Sequence, residues 1–545
     1  MMNRNVEIEK MQHAPYDVCI IGAGASGAGC ALDAVLRGLR VLLIDRGDFS
    51  GETSSKSTKL IHGGVRYLEQ AFKNLDFGQL RQVRHGLEER HLLLANAPHL
   101  SRPLGLITPV FSWVEGLYFS IGLKLYGLFA SSNDNLPASK WLNKKSAQTL
   151  IPTLSEKMHS AVLYYDGQLD DARFAFALAQ SASEAGATVV NYLEVIAFQK
   201  DSKGKITGAT LADKLSGDAM HTTVRAQVFL NCTGPFADHI RVLANAATES
   251  RIRPSKGVHA VLPFDVLNSQ YALLIPKTPD GRVVFAIPFH QQVLLGTTDE
   301  LYSDLEKEPV LEAKEVDFLL ETLAPYLSRK VHKEEITAGF GGIRPLITAG
   351  KKQTKGLLRD HEVEVDETSG LFSLLGGKWT TYRIMARDAV DAVCRHLGHQ
   401  VACNTENQPL SGAEGYHPED WGKIKVQTGL DEDICRHLSQ NYGSRASLVI
   451  ALMKDDPQFN CRLSNHFPFI AAEVVYAARY EMCCTIRDFL ARRVRLEILN
   501  WEAAKQSAAT VAQLLAGELH WDNEKKEMEV INYRNLLDQL IAKSK

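Results

Sequence analysis

The residues best spaced for chemistry lie near the start of the chain. Gly22, Gly24 and Gly27 form a Gly-x-Gly-x-x-Gly turn between an apolar run at residues 17–21 and a helix-forming run at residues 28–37. Gly22 permits the tight turn, Gly24 lets the backbone approach a pyrophosphate, and Gly27 allows helix to pack closely on strand. A helix that starts there offers free N–H groups and a partial positive charge to phosphate. Asp45 follows Gly27 by 18 residues, after a second apolar run at Val41–Ile44, where an acid accepts hydrogen bonds from an adenosine ribose. The chemistry is dinucleotide binding. Alone, the glycines would also suit a tight turn without ligand.

These residues need a parallel sheet to hold them. Residues 17–21 and 41–44 read as buried strands around the 28–37 helix, which Gly38 stops. Helical runs follow at 72–96 and 172–185, and strands at 187–191, 228–232 and 371–375. Because plausible strands return so late, the sheet is assembled from distant segments, and that favours FAD over NAD. Short β-rich runs at 260–262, 283–287 and 293–295, punctuated by Gly and Pro, read as an antiparallel sheet. Beyond about residue 400 helix formers dominate. The expected fold is α/β: an FAD-binding Rossmann-like domain interwoven with a β-rich substrate domain, then a C-terminal helical domain. The boundaries expected are 15–400 and 401–545, with flavin-binding segments near 15–90, 160–250 and 355–400.

The 545 residues carry 61 Lys plus Arg and 64 Asp plus Glu, a formal net charge of −3, so no basic excess points to nucleic acid. Nine cysteines without a CxxC pair read as reduced thiols, and their spacing supports neither zinc nor an iron–sulfur cluster. No metal is expected. No run of about 20 residues is apolar and free of charge, so no transmembrane helix is expected. Residues 104–130 come nearest, with Phe111, Trp113, Tyr118, Phe119, Tyr126 and Phe129 interrupted by Glu115 and Lys124. They read as a buried helix or helix pair, or as a helix that dips into one leaflet.

The run Thr53-Ser54-Ser55-Lys56-Ser57-Thr58-Lys59-Leu60-Ile61-His62-Gly63-Gly64-Val65-Arg66-Tyr67 resembles the FAD-dependent glycerol-3-phosphate dehydrogenases. The resemblance continues in collinear order through Asp170-Asp171-Ala172-Arg173, Asn231-Cys232-Thr233-Gly234-Pro235, Lys256-Gly257-Val258-His259 and Gly296-Thr297-Thr298-Asp299. It extends to Gly342-Ile343-Arg344-Pro345-Leu346, Arg359-Asp360-His361, Gly376-Gly377-Lys378-Trp379-Thr380-Thr381-Tyr382-Arg383 and the segment around Arg492-Arg493. Trp379 stands where the family often has a smaller apolar residue. Phe340 stands where some members have a tyrosine.

The resemblance implies oxidation of sn-glycerol 3-phosphate to dihydroxyacetone phosphate, with hydride passing to flavin N5 and the electrons then to a quinone. Arg66, Arg344 and Arg359 are implied to converge on the substrate phosphate, since a guanidinium donates two hydrogen bonds in a fixed fork. Tyr67 would add a hydroxyl. His259 is the first candidate for the base, because its ordinary pKa lies near neutrality. Lys378 is the alternative, or stays charged to hold the substrate oxygen or reduced flavin. Thr53, Ser54, Ser55, Lys59, His62, Gly63 and Gly64 are expected along the pyrophosphate and flavin ring, with Arg46 beside Asp45. Val195 would meet the adenine through its backbone, and Gly234 belongs to the second flavin-contact strand. Thr380 and Thr381 would place a helix N-terminus at the flavin. Blander roles stay open: surface ion pairs for the arginines, a core histidine for His259, simple caps for the threonines. Asp170, Asp171, Asp299 and Asp360 read as structural, with Asp171 and Arg173 as a buried pair.

Quinone use would place the protein peripherally on the cytoplasmic face of the inner (plasma) membrane. Contact would come through residues 104–130 or through Arg492, Arg493 and Arg495, which could equally pair with Glu481 and Asp488. A homodimer is the family expectation. Oxidases using O2 and producing H2O2, flavin amine oxidases of the same fold, and a flavin module without turnover are the alternatives.

Overall fold

The computed structural model describes residues 2–13, 15–63, 77–128, 136–216, 221–276, 278, 282–348 and 361–545. Arg66, Tyr67, Gly64, Arg359 and Asp360 lie outside them.

Two sheets organise the chain. The first follows the order His361–Val365, Phe372–Gly376, His221–Asn231, Tyr16–Ile21, Val41–Ile44, Thr188–Val190. Along this order all neighbours are parallel except His361–Val365 with Phe372–Gly376, and the antiparallel strands Ile206–Asp213 and Leu193–Lys200 branch from His221–Asn231. The central strands read Val-Cys-Ile-Ile and Val-Leu-Leu-Ile because helices and strands cover both faces. On one face the helices Ala25–Leu36, Asp171–Glu184 and Tyr382–Leu397 share a core with Val18, Ile20 and Leu43. The first of these helices starts at Ala25, three residues before the sequence suggests, so its N-terminus meets Gly24 directly.

The second sheet is mostly antiparallel. It is built around Ile252–Pro263, Gln292–Gly296, Val284–Phe289, Ala272–Ile275, Ser101–Val110 and Ser160–Leu169, and Ala338–Ile347 pairs with the first of them. The two-residue strand Leu60–Ile61 joins its edge, so the segment after the glycine turn runs from one sheet into the other. One face packs on C-terminal helices: Leu106 and Ile287 share a core with Phe489, Val511 and Leu537.

Residues 104–130 correct the sequence reading. Residues 101–110 form a strand, and the helix Trp113–Leu128 begins only after it. Nor is this helix buried. Trp113 is 63% exposed, and Val114, Leu117, Tyr118 and Ile121 are exposed beside it.

Of the two readings of the arginines after Asp488, the ion-pair reading holds: Arg492 meets Asp488 and Arg493 meets Glu481 at 3.2 Å. Arg493 donates to both oxygens of Asp48 at 2.8 and 2.9 Å, and Arg492 reaches Asp48 and Asp488, each at 2.6 Å. Arg495, in a left-handed backbone conformation, donates to Asp171 at 2.9 Å and to the Ser55 carbonyl at 2.8 Å. These groups are buried and paired, so they offer no basic surface to a membrane. The Asp171 partners are Lys59 and Arg495, whereas Arg173 pairs with Glu481 at 2.8 Å. The helical C-terminal region is thereby sewn to the flavin-side segment Thr53–Lys59.

Candidate active site

A cleft of about 460 Å³ opens where the parallel strands end. Its floor is made by the residues just past Ile21, Ile44, Asn231 and the strand ending at Gly376, the place where open α/β sheets bind ligands. Gly22 has φ +102°, and a Cβ there would stand 2.8 Å from the Cys232 carbonyl oxygen. A Cβ on Gly24 would lie 2.8 Å from Ser54 Oγ, and one on Gly27 only 1.8 Å from the Gly22 oxygen. Ser54 Oγ accepts the Ala25 N–H at 2.9 Å, which fixes the Thr53–Ser55 turn over the helix N-terminus. Asp45 accepts from the N–H groups of Ala23 at 2.6 Å and Gly47 at 2.9 Å. Burial pushes its carboxyl up to about 6 against those two bonds. Such a group gains from a ribose hydroxyl that donates to it.

Gly22, Gly24, Asp45, Arg46, Thr53, Ser54, Val195, Gly234 and Lys378 all line this cleft. Arg46 lies over the Phe236 ring at 4.0 Å. Val195 sits in the strand Leu193–Lys200, and the pairing register slips between Val195 and Ala197, which turns the Ile196 backbone out of the ladder into the cleft wall. Gly376 and Gly377, both at positive φ, swing the chain so that Lys378 joins the lining. Trp379 lines the wall beside it and donates to the Ser54 carbonyl at 2.8 Å. The unusual tryptophan thus clamps the Thr53–Ser55 turn. Thr381 is the N-cap residue of Tyr382–Leu397, but its hydroxyl bonds the Lys378 carbonyl at 3.3 Å.

Other expected residues fall elsewhere. Lys59 is fully buried and donates to Asp171 at 2.7 Å, so it braces the loop instead of meeting phosphate. Burial pulls its ammonium down to about 8 although Asp171 opposes the shift. Ser55 is buried, and its carbonyl accepts from Lys59 and Arg495. Gly63 lacks a side chain because a Cβ there would meet Leu87 Cγ at 2.8 Å, a helix-packing need. His259 lies behind the cleft wall. It is 2% exposed, stacks on Phe340 at 4.8 Å, and its Nε2 faces Thr58 Oγ1 at 3.1 Å. Burial, then the charges of Lys59 and Arg344, hold its pKa well below the usual imidazole range. A ring sealed behind the wall has no path to a substrate hydroxyl.

His62 is not among the residues that line the cleft either, but it stands beside Thr380. It follows Leu60–Ile61, is exposed, and its N–H meets Thr380 Oγ1 at 3.4 Å. Desolvation by the groups around it, then the charges of Lys378 and Arg90, bring its pKa down to about 4. Arg344 projects over Gly257, where a Cβ would meet its guanidinium at 2.5 Å. It donates to Thr297 Oγ1 at 3.1 Å, the Thr298 carbonyl at 3.0 Å and Asp299 at 3.2 Å. Its neighbour Pro345 lines the cleft. Sequence reasoning missed Ile196, inside the strand Leu193–Lys200, and Phe236 and His239, in the turn and helix that follow His221–Asn231.

The donor set fits FAD: a helix N-terminus and Ser54 turn for pyrophosphate, Asp45 for ribose, main chain at Val195 for adenine, and Lys378 on the same lining; Thr380 does not line the cleft and instead meets the His62 N–H. Among the described residues no group of three or more His, Cys, Asp and Glu could hold a metal.

Residues 17–387 match the family of FAD dependent oxidoreductases, and residues 403–526 match the C-terminal domain of alpha-glycerophosphate oxidase. The chain is 41% identical to a mitochondrial glycerol-3-phosphate dehydrogenase of Arabidopsis thaliana over 96% of its length and 86% of that protein's. It is 39% identical to the mitochondrial glycerol-3-phosphate dehydrogenase of Homo sapiens over 98% of its length and 75% of that protein's. The glycerol-3-phosphate dehydrogenase of Bacillus halodurans, solved with FAD, superposes with a TM-score of 0.79 at 27% identity, covering 98% of this chain and 96% of that one. The cofactor is FAD, and the chain belongs to the FAD-dependent glycerol-3-phosphate dehydrogenase family.

Proposed function

We propose that the protein oxidises sn-glycerol 3-phosphate at C2 to dihydroxyacetone phosphate and passes the electrons to a membrane quinone. The observation that carries this reading is the chain-long likeness to enzymes of that name, joined to a flavin cleft lined by Lys378 and by Pro345, the residue next to Arg344. When bound, FAD supplies the acceptor for the hydride leaving C2. Arg344 exchanges its 3.2 Å contact with Asp299 for the substrate phosphate. Arg66, Tyr67 and Arg359 are proposed to complete that phosphate pocket. Lys378 holds the C2 oxygen by its charge. An imidazole nitrogen of His62 takes the hydroxyl proton, and the dianionic substrate raises its basicity by offsetting the nearby cations. His259 is a positioning residue: through Thr58 it fixes the loop that carries Ser54 and Ser55. The test is anaerobic. Adding sn-glycerol 3-phosphate to the yellow holoenzyme bleaches the flavin band, while glycine leaves it unchanged. A band that persists would remove the substrate assignment but leave the cofactor.

Quinone reduction calls for a membrane surface. Among the described residues no helix is long and apolar enough to cross a membrane. The helix Trp113–Leu128 instead presents Trp113, Val114, Leu117, Tyr118 and Ile121 on one exposed side. That pattern suits a helix lying in the plane of the interface. Gly116 permits the arrangement, because a Cβ there would strike Trp141, itself exposed beside the helix. Trp113→Ser with Ile121→Ser is expected to shift the holoenzyme from the floating to the soluble fraction with neutral vesicles, leaving activity toward a soluble quinone intact. Flotation equal to wild type would break the assignment of this face.

A further inference from the structure

Lys378 and Arg344 are carried by different sheets, yet two hydrogen bonds join their neighbours through one short turn. Arg344 belongs to the strand Ala338–Ile347 of the antiparallel sheet, and Lys378 follows the strand Phe372–Gly376 of the parallel one. The turn Thr53–Ser55 connects them. Thr53 Oγ1 donates to the Ile343 carbonyl at 2.7 Å, and the Trp379 indole N–H donates to the Ser54 carbonyl at 2.8 Å. The chain just past the turn lies close on the same strand, because a Cβ on Gly342 would stand 2.9 Å from the Lys56 carbonyl oxygen. The path therefore runs from Lys378–Trp379 to Ser54–Thr53 to Ile343–Arg344, with peptide bonds inside each pair and one hydrogen bond between pairs.

The two ends of this path differ in firmness. Arg344 sits in a paired strand, opposite Ser255. Lys378 follows Gly376 and Gly377, at φ +72° and +95°, where no Cβ restricts the backbone. A Cβ on Gly377 would lie only 2.3 Å from Met385 Sδ, so this pair of glycines has no room for a stiffer residue. The stance of Lys378 must then be set from outside, and Trp379 is placed to set it. Its ring meets Phe174 and Tyr382 edge to face, at 5.2 and 5.6 Å, and that packing aims its N–H at Ser54. The next carbonyl of the turn, Ser55, is held from the buried side by Lys59 and Arg495, each at 2.8 Å. The indole holds the turn from the cleft side, where a smaller apolar residue would have no donor to offer.

We propose that Trp379 is a positioning residue: its indole N–H fastens the Thr53–Ser55 turn to the Lys378 backbone, which retains FAD in the cleft and keeps Lys378 at a fixed separation from Arg344. Retention rests on the cofactor alone, whereas the separation matters through the substrate reading given for Lys378 and Arg344. The two hydrogen bonds act in series on that separation. Cutting either one frees it, and cutting the second adds little.

The experiment compares holoenzyme of wild type, Trp379→Phe, Thr53→Val and the double variant. Trp379→Phe keeps an aromatic ring and removes the N–H; Thr53→Val keeps the shape and removes the hydroxyl. FAD release on dilution is followed by the rise in flavin fluorescence, and melting temperature reports folding. Trp379→Phe is expected to release FAD about 3- to 10-fold faster, the worth of one neutral hydrogen bond. Each single variant is expected to lose about the same factor in kcat/KM for sn-glycerol 3-phosphate, and the double variant no more than the worse single one. The proposal is overturned if Trp379→Phe releases FAD at the wild-type rate, or if the two losses in kcat/KM multiply, as independent anchors would require. Should sn-glycerol 3-phosphate fail to bleach the wild-type flavin, the substrate reading falls instead, and the release rates alone decide whether the indole holds the cofactor.

Discussion

Arg493 and Arg344 both join segments far apart in sequence, and they are held in opposite ways. Arg493 is 1% exposed and donates to both oxygens of Asp48. Arg344 is 36% exposed, and among the described residues it meets the carboxylate of Asp299, itself exposed, at 3.2 Å. A buried guanidinium tied on every side has no freedom to meet a substrate, and removing its partner leaves a charge in a medium that cannot solvate it. A half-exposed guanidinium, whose charge water still solvates, can trade a carboxylate for a phosphate at lower cost than a buried one. Pairing and exposure, more than residue type, separate the arginines that build this molecule from those that serve it.

The comparison breaks first at the buried side. Asp48→Asn is expected to cost about 3–5 kcal/mol of stability, because it takes the bidentate carboxylate from Arg493 and one of two from Arg492, and to lower flavin content in parallel. Denaturant unfolding of the holoenzyme measures it, and a loss under about 1 kcal/mol would void the contrast. At the open side, His62→Asn is expected to lower kcat about 100-fold or more with little change in melting temperature. His259→Asn should do the reverse, destabilising the chain while kcat falls less. Equal kcat losses would return the base role to His259. Arg344→Gln is expected to reduce kcat/KM for sn-glycerol 3-phosphate about 10- to 100-fold while stability moves by no more than about 0.5 kcal/mol. Unchanged kinetics would remove Arg344 from the phosphate pocket.

The smallest effect sharpens the boundary between the two classes. Glu308 bonds Arg487 and Lys56, each at 2.8 Å, and is partly exposed. Burial would raise its pKa, but the two cations overcome it and hold the carboxyl well below the usual range. A depressed carboxylate stabilises the folded chain above its unfolded pKa of about 4.3, and that contribution is lost as pH falls toward the folded value. Wild type should therefore lose more stability than Glu308→Gln between about pH 6 and about pH 3. Parallel losses in the two proteins would mean that Glu308 contributes nothing through its charge.

What was legible in the sequence follows the range of the interactions. The glycine turn, its flanking strands and Asp45 are local, so spacing alone placed them, and residues 172–185 and 371–375 fell where their periodicity said. Residues 104–110 were misread because an apolar, aromatic run suits a two-faced buried strand as well as a helix. Lys59 and Ser55 were sent to the flavin because their neighbours Thr53 and Ser54 do line the cleft. Nothing near Lys59 announces Asp171, 112 residues away, or near Ser55 announces Arg495, 440 residues away. His62 and His259 could not be ranked from sequence, since both are single histidines whose meaning depends on what seals them in.

The order of strands in the parallel sheet has a consequence for synthesis. Tyr16–Ile21 pairs with His221–Asn231, and that strand pairs with Phe372–Gly376. The flavin floor is thus incomplete until the ribosome has made residue 376 and more. At about 5–20 residues per second, roughly 20–70 s separate the first strand from the last. During that interval the glycine turn is exposed beside unpaired apolar strands, so a nascent chain in need of a chaperone precedes any chain able to load its cofactor.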